Sequence, residues 1–293
     1  MVGGFKIGFI PGGSYRKMAC GEICADLRSI GYDAVEWFLD FVHPDTMSVS
    51  EIKNVFDESK AAGLEVSEII VQQDLVVLDS DERKRNAELV LRCIELYASL
   101  GVNTINLFTG PQPWLAKPVR VGFEIKAGDA WAMVFDAFDR FVPAAEKNGM
   151  ALAVENVFGM LCHDFFTNQH LNRRYNSPCL GVNFDPSHDV LSGNLDSGWL
   201  AEQWGKDKIK HVHLKDAAGV PRMGEFVFPL LGEGRVNWPA FAAAMKKINY
   251  EDVMSVEFES FDYLKNILGG DMSKAARISM DAVRILIGGE IIN

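Results

Sequence analysis

The chain is poor in the residues that would let it follow a phosphate backbone. It carries 29 Lys and Arg against 40 Asp and Glu, a net charge of −11, with no long basic run. Such a surface repels nucleic acid, and none is expected as a partner. Cysteine is also sparse: Cys20, Cys24, Cys93, Cys162 and Cys179 are odd in number and form no C-x-x-C pair. That argues against a disulfide framework or a zinc knuckle and fits a reducing, cytoplasmic setting. No apolar stretch approaches the roughly 18–20 residues of a membrane helix, so no membrane partner is expected. The apolar opening MVGGFKIGFIPGG is broken by Lys6, Pro11 and its glycines and reads as a strand rather than a signal peptide. No G-x-G-x-x-G turn follows the first apolar run, and no Walker A motif occurs. No proline-rich or low-complexity linker divides residues 1–293, which are expected to form one domain.

What the chain does have is a repeated junction. In LRSIGYDAVEWF, SKAAGLEVSEIIV, YASLGVNTINLF and AEKNGMALAVEN a helical pattern ends at Gly31, Gly63, Gly101 or Gly149, and a short apolar run follows. MKKINYEDVMSVEFE repeats the pattern with Asn249 in the glycine position. Glycine, and next to it asparagine, suits the left-handed residue just past a helix. Reading outward from these junctions gives strands near 5–10, 33–38, 65–72, 103–108, 151–156, 180–185, 209–214 and 252–258, separated by amphipathic segments. Strand–helix alternation implies a parallel sheet, and eight strands in this length imply an α/β fold of the closed (β/α)8 barrel type. An open doubly wound sheet is the alternative.

Barrels place their functional residues at the C-terminal ends of the strands. ALAVE ends at Glu155, LGVNFD at Asp185, IKHVHL carries His211 and His213, and VMSVEFE carries Glu257 and Glu259. Side chains alternate along a strand. If Glu155, Asp185, His213 and Glu257 face the barrel mouth, then Ala153, Asn183, His211 and Ser255 lie one layer below. Val154, Phe184, Val212 and Val256 then face the helices. Three carboxylates in one shielded pocket repel one another, and a divalent cation relieves that repulsion. A donor set of oxygens and one imidazole suits Mn²⁺, Mg²⁺ or Co²⁺, with Zn²⁺ also compatible.

The runs A-V-E-N, N-F-D-P-S-H, H-V-H-L-K-D, L-G-E-G-R-V-N-W and S-V-E-F-E resemble the xylose isomerase-like TIM barrel superfamily of sugar isomerases and epimerases, in particular the ketose 3-epimerases and the inosose-processing enzymes. The resemblance is strong over residues 150–260 and architectural over 1–150. It implies one divalent metal ion, Mn²⁺ first, held by Glu155, Asp185, His213 and Glu257, with His213 preferred over His211. It implies a carbohydrate substrate whose carbon-bound proton is moved by Glu155 and Glu257 through a metal-bound enediolate. It also places His188 against a substrate oxygen. Lys215 is expected to stabilise the developing oxyanion, or else to pair with Asp216. Glu36 resembles a frequent family glutamate that lines the pocket, although a structural role is an equal expectation.

Trp37, Phe108 and Trp114 lie at or after strand ends and suit an aromatic wall against a sugar, with Phe108 more readily read as core. His43, His163 and His170 read as surface residues. GEFVFPLLGEGRVNW reads as a long loop closing over the mouth, with Arg222 or Arg235 in reach of a substrate. The ketose 3-epimerases follow the ligand histidine with G-E-x-N-R, whereas this chain has L-K-D-A-A-G, closer to inosose dehydratases. A lyase reaction therefore stands as the alternative to isomerisation: dehydration of a keto-inositol, or C-glycoside cleavage of a 3-keto sugar. A barrel that serves without catalysis, as a binding or partner subunit, is the non-enzymatic alternative; a homo-oligomer is compatible with either. The endonuclease IV branch needs further histidines after strands three and four, where this chain has IIVQQ and NLFTG. No second metal site is evident.

Overall fold

The computed structural model describes residues 1–289. Eight parallel strands close into a barrel: β1 (Lys6–Phe9), β2 (Ala34–Phe38), β3 (Glu65–Ile70), β4 (Thr104–Leu107), β5 (Ala151–Glu155), β6 (Leu180–Phe184), β7 (Ile209–Leu214) and β8 (Val253–Val256). Each strand pairs with its neighbours in sequence, and β1 closes on β8 with Ile7 opposite Met254 and Phe9 opposite Val256. The expected strands therefore all form, and the open sheet is excluded. The strands stop one or two residues earlier than expected at several C-terminal ends, because the rim residues leave the ladder to enter loops.

The repeated junction is a set of left-handed helix ends. Gly31, Gly63, Gly101, Gly149 and Asn249 all have positive φ, and the Gly31 N–H closes its helix on the carbonyls of Leu27 and Arg28. Asn176 ends the helix Phe165–Tyr175 in the same conformation. That sixth junction has no glycine to advertise it. Helix starts are held by side chains as well: the Asp79 carboxylate accepts from the N–H groups of Asp81 and Glu82, and Ser48 and Glu51 cap each other's backbone.

The apolar core lies between barrel and helices rather than inside the barrel. Val154, Phe184, Val212 and Val256 belong to it and are essentially unexposed, as the alternation requires. The inside of the barrel is instead stacked with buried polar groups, among them Glu36, Glu68, Asn106, Asn183, His211 and Ser255. Two irregularities shape this stack. Opposite β2, β3 gains one residue between Val66 and Ile69; opposite β6, β7 gains one between Ile209 and His211. Such bulges re-aim side chains locally. Close approach also matters at Gly181 in β6, where a Cβ would stand 2.1 Å from the Lys208 carbonyl oxygen and 2.8 Å from Lys210 Cγ. Gly181→Ala is expected to cost about 1–3 kcal/mol, the range for overpacking a tight site, read as a lower denaturant midpoint with an unchanged slope.

Candidate metal centre and the cavity above it

β5, β6, β7 and β8 bring Glu155, Asp185, His213 and Glu257 together so that one donor atom from each lies within 4.8 Å of the others. Their surroundings orient them. Glu155 Oε2 accepts hydrogen bonds from Gln72 Nε2 at 2.9 Å and Asn106 Nδ2 at 3.1 Å, which leaves Oε1 facing His213 Nδ1 at 3.2 Å. Asp185 caps the helix Pro186–Leu191 through Oδ1, which accepts from the Ser187 N–H at 2.8 Å. Its Oδ2 is buried and faces the Lys215 ammonium at 3.0 Å. Glu257 Oε2 lies 3.4 Å from His213 Nδ1, so two carboxylates flank one ring nitrogen. The other ring nitrogen, Nε2, is 2.9 Å from Glu36 Oε1.

Lys215 is the only lysine in this group, and it is buried. Its Nζ lies 2.5 Å from Glu257 Oε2, 3.0 Å from Glu259 Oε2, 3.0 Å from Asp185 Oδ2 and 3.3 Å from His188 Nε2. It does not pair with Asp216. The Asp216 carboxylate is taken up by the backbone N–H groups of Ala217, Gly232 and Val236 and by Trp238 Nε1, pinning both ends of the loop that follows β7.

Charge and burial compete throughout. Burial disfavours the Lys215 ammonium, but Asp185, Glu257 and Glu259 outweigh it and hold its pKa well above the ordinary lysine value. Burial likewise opposes a charged His213, and Glu36, Glu155 and Glu257 overcome it. Glu257 is pushed up by burial and pulled well below the usual carboxylate range by Lys215 and His213. Asp185 is pushed up to about 6 by burial, which Lys215 only partly offsets. His188 is driven well below its ordinary value by burial and by Lys215, so it is neutral. The residues fit a divalent cation: three carboxylates and an imidazole converge, and only the Lys215 ammonium offsets the carboxylates' charge at Asp185 Oδ2.

Above this group opens a cavity of about 920 Å³. Glu155, His188, Lys215, Glu257 and Glu259 form its floor. Phe108, Trp114, Phe158, Phe226, Phe228 and Phe261 supply much of its wall. Part of that wall is the loop after β7, whose ends pair as a short antiparallel ribbon, Ala218–Gly219 with Phe226–Val227. The loop thus lies over the mouth as the sequence suggests. Trp114 is 46% exposed and stands edge-on to Phe108, which is both buried and wall.

Three expectations need correction. Glu36 does not line the cavity; it sits one layer below, wholly buried, and bridges His211 Nε2 at 2.8 Å and His213 Nε2. Trp37 is not a wall residue, because it follows Glu36 on β2 and faces the helices, where Nε1 donates to Ser59 Oγ at 3.1 Å. Arg222 and Arg235 are exposed and off the cavity, with Arg222 paired to Glu225. His43, His163 and His170 stand away from both the centre and the cavity. Glu68, Gln72 and Asn106 had drawn no functional reading. A second convergent group is present too: Glu36, Glu68, His211 and His213, all buried.

The family model for the xylose isomerase-like TIM barrel matches residues 24–285. The chain belongs to this family. Solved barrels of similar form include the IolI protein with a zinc atom (TM-score 0.74, 17% identity, 98% of this chain and 100% of that one). D-psicose 3-epimerase in the presence of D-fructose matches at TM-score 0.74 and 17% identity over 97% of this chain and 100% of that one. The E. coli 3-keto-D-glucoside 4-epimerase matches at 0.73 and 16% over 96% and 99%. At these identities the likeness is one of fold. No curated protein matches the sequence. Family neighbours are enzymes, and among the described residues of this chain no helix is long and apolar enough to cross a membrane.

Proposed function

We propose that this member of the family is a divalent-cation-dependent sugar isomerase or epimerase that moves a proton on a keto sugar or related polyol through an enediolate. One observation carries the reading: Glu155 and Glu257 flank the same His213 nitrogen and both open onto the cavity floor. Two carboxylates so placed can take a proton from one face or atom of a substrate and return one elsewhere. A divalent cation held by Glu155, Asp185, His213 and Glu257, Mn²⁺ first for this oxygen-rich set, supplies Lewis acidity toward a carbonyl and its neighbouring hydroxyl.

The chain's own groups do the rest. Glu257, kept ionised by Lys215 and His213, is the base. Glu155 holds Oε2 on Gln72 and Asn106, which leaves Oε1 as its proton-carrying atom. The Lys215 ammonium donates toward negative charge developing on a substrate oxygen, and neutral His188 beside it positions that ammonium. Trp114 and Phe108 offer an apolar face to the sugar ring. The five cysteines are all free thiols, which supports a reducing cytoplasm as the setting.

A second reading, a lyase acting on a 3-keto glycoside, is favoured by the cavity itself. Its volume reaches the drug-sized end of ligand pockets, about 300–1,000 Å³, and its walls are aromatic, which is more room and more apolar surface than a lone monosaccharide uses. The reaction in D₂O separates the cases. Deuterium is expected at the carbon beside the carbonyl in a product of unchanged composition, seen by NMR. Release of an aglycone or of water selects the lyase. Full conversion with no deuterium rejects proton transfer to solvent-exchanging carboxylates.

A further inference from the structure

We propose that the layer beneath the candidate metal centre is a second divalent-cation site, formed by Glu36, Glu68, His211 and His213. One donor atom from each of the four lies within 4.8 Å of the others, and no member is more than 2% exposed. Glu36 holds both imidazoles, its two oxygens 2.8 Å from His211 Nε2 and 2.9 Å from His213 Nε2. Glu68 is the independent sign. Its side chain is wholly buried, both oxygens lack any hydrogen-bond partner, and Oε2 stands 3.9 Å from His211 Nε2 and 4.0 Å from His213 Nε2. The extra residue in β3 lies in this part of the strand.

A buried carboxylate with no partner is costly, so something must neutralise it. A proton on Glu68 would have to be shared with Glu36, whose two oxygens already serve both imidazoles. A cation satisfies charge and geometry together. With ligand bonds of about 2.0–2.2 Å, donor atoms around one ion stand about 3–3.4 Å apart when adjacent and about 4.2 Å apart when opposite. The separations of 2.8–2.9 Å lie near the adjacent value, while Glu68 Oε2, at 3.9–4.0 Å from both imidazoles, can stand opposite only one of them and must draw nearer the other when the ion binds. Two imidazole nitrogens and two carboxylates suit Zn²⁺ or Mn²⁺ and disfavour Ca²⁺, which prefers an all-oxygen shell.

The two sites meet only at His213, which turns Nδ1 to the upper group and Nε2 to the lower. Glu36, Glu68 and His211 supply three ligands, and His213 completes the set when its Nε2 proton leaves, so loading the inner site releases protons. This inference does not depend on the proposed reaction.

The test is a crystal of the full chain grown with saturating Mn²⁺ or Zn²⁺ and measured at an anomalous wavelength, with elemental analysis of the same protein. Two peaks are expected per chain, one of them between Glu68 and His211. Glu68→Gln should lose that peak and one ion while keeping the upper one; Asp185→Ala should do the reverse. A wild-type map with no inner peak overturns the inference whatever the upper group holds, and so does a folded Glu68→Gln protein that keeps both ions. An inner peak with an empty upper group supports the inference and defeats the upper metal instead. If Glu68→Gln does not fold, the wild-type map alone decides.

Discussion

Glu257→Gln is expected to leave divalent-ion content largely intact while turnover falls by about 10²–10⁴-fold, the usual range for losing a positioned general base. Glutamine keeps an oxygen at the same place but cannot hold a proton. The size of the effect follows from the surroundings: Lys215 Nζ at 2.5 Å and His213 Nδ1 at 3.4 Å keep Glu257 ionised, and a neutral amide there has no basic form. Elemental analysis and a thermal melt run beside the kinetic assay read the outcome. A purely structural carboxylate gives the opposite pattern: a lower melting temperature with unchanged activity per folded molecule.

The second large effect is on stability. Without a bound ion, Lys215 is the cation that Asp185, Glu257 and Glu259 share. Lys215→Met keeps the length and apolar stem but leaves those carboxylates facing one another in a buried space. Breaking a buried ion pair from one side costs about 3–5 kcal/mol, and that loss is expected for the metal-free protein. Without the ammonium the carboxylates should bind a divalent ion more tightly than in the parent, so the deficit should shrink on adding Mn²⁺ or Zn²⁺ by as much as the variant's stabilisation exceeds the parent's. Melts of variant and parent, each with chelator and with metal, measure both arms. An equal deficit in the two conditions defeats the view that Lys215 and a cation balance the same carboxylates.

The same rule of alternation made most of the barrel legible and exposes where the reading slipped. Helix ends are visible where glycine or asparagine stands directly before an apolar run; after Asn176, Ser177 and Pro178 come before the strand begins at Leu180. The rim residues were visible because a strand turns every second side chain the same way. Adjacent strand residues must then face apart, which is why Trp37 cannot share a wall with Glu36; Lys215 and Asp216 lie past the end of β7, and Asp216 is turned to the loop that follows. The first follows from the sequence without a structure; the second needs the loop in place. Glu68 is different. It lies where β3 takes on an extra residue, and nothing in EVSEII announces that irregularity. Gln72 and Asn106 were likewise unreadable as supports of Glu155, since β3, β4 and β5 must close side by side before two carboxamides meet a carboxylate.

A barrel that keeps its apolar packing on the outside and its polar stack on the inside divides its labour by surface. Side chains facing the helices hold the strands in place, and those facing inward are free to change their chemistry. A new donor on the inner face needs only a partner in the same layer, without repacking a hydrophobic neighbour. An architecture built this way can acquire a new reaction by exchanging a few inward residues while its scaffold stays the same, so long as each exchange leaves the charges of its layer paired.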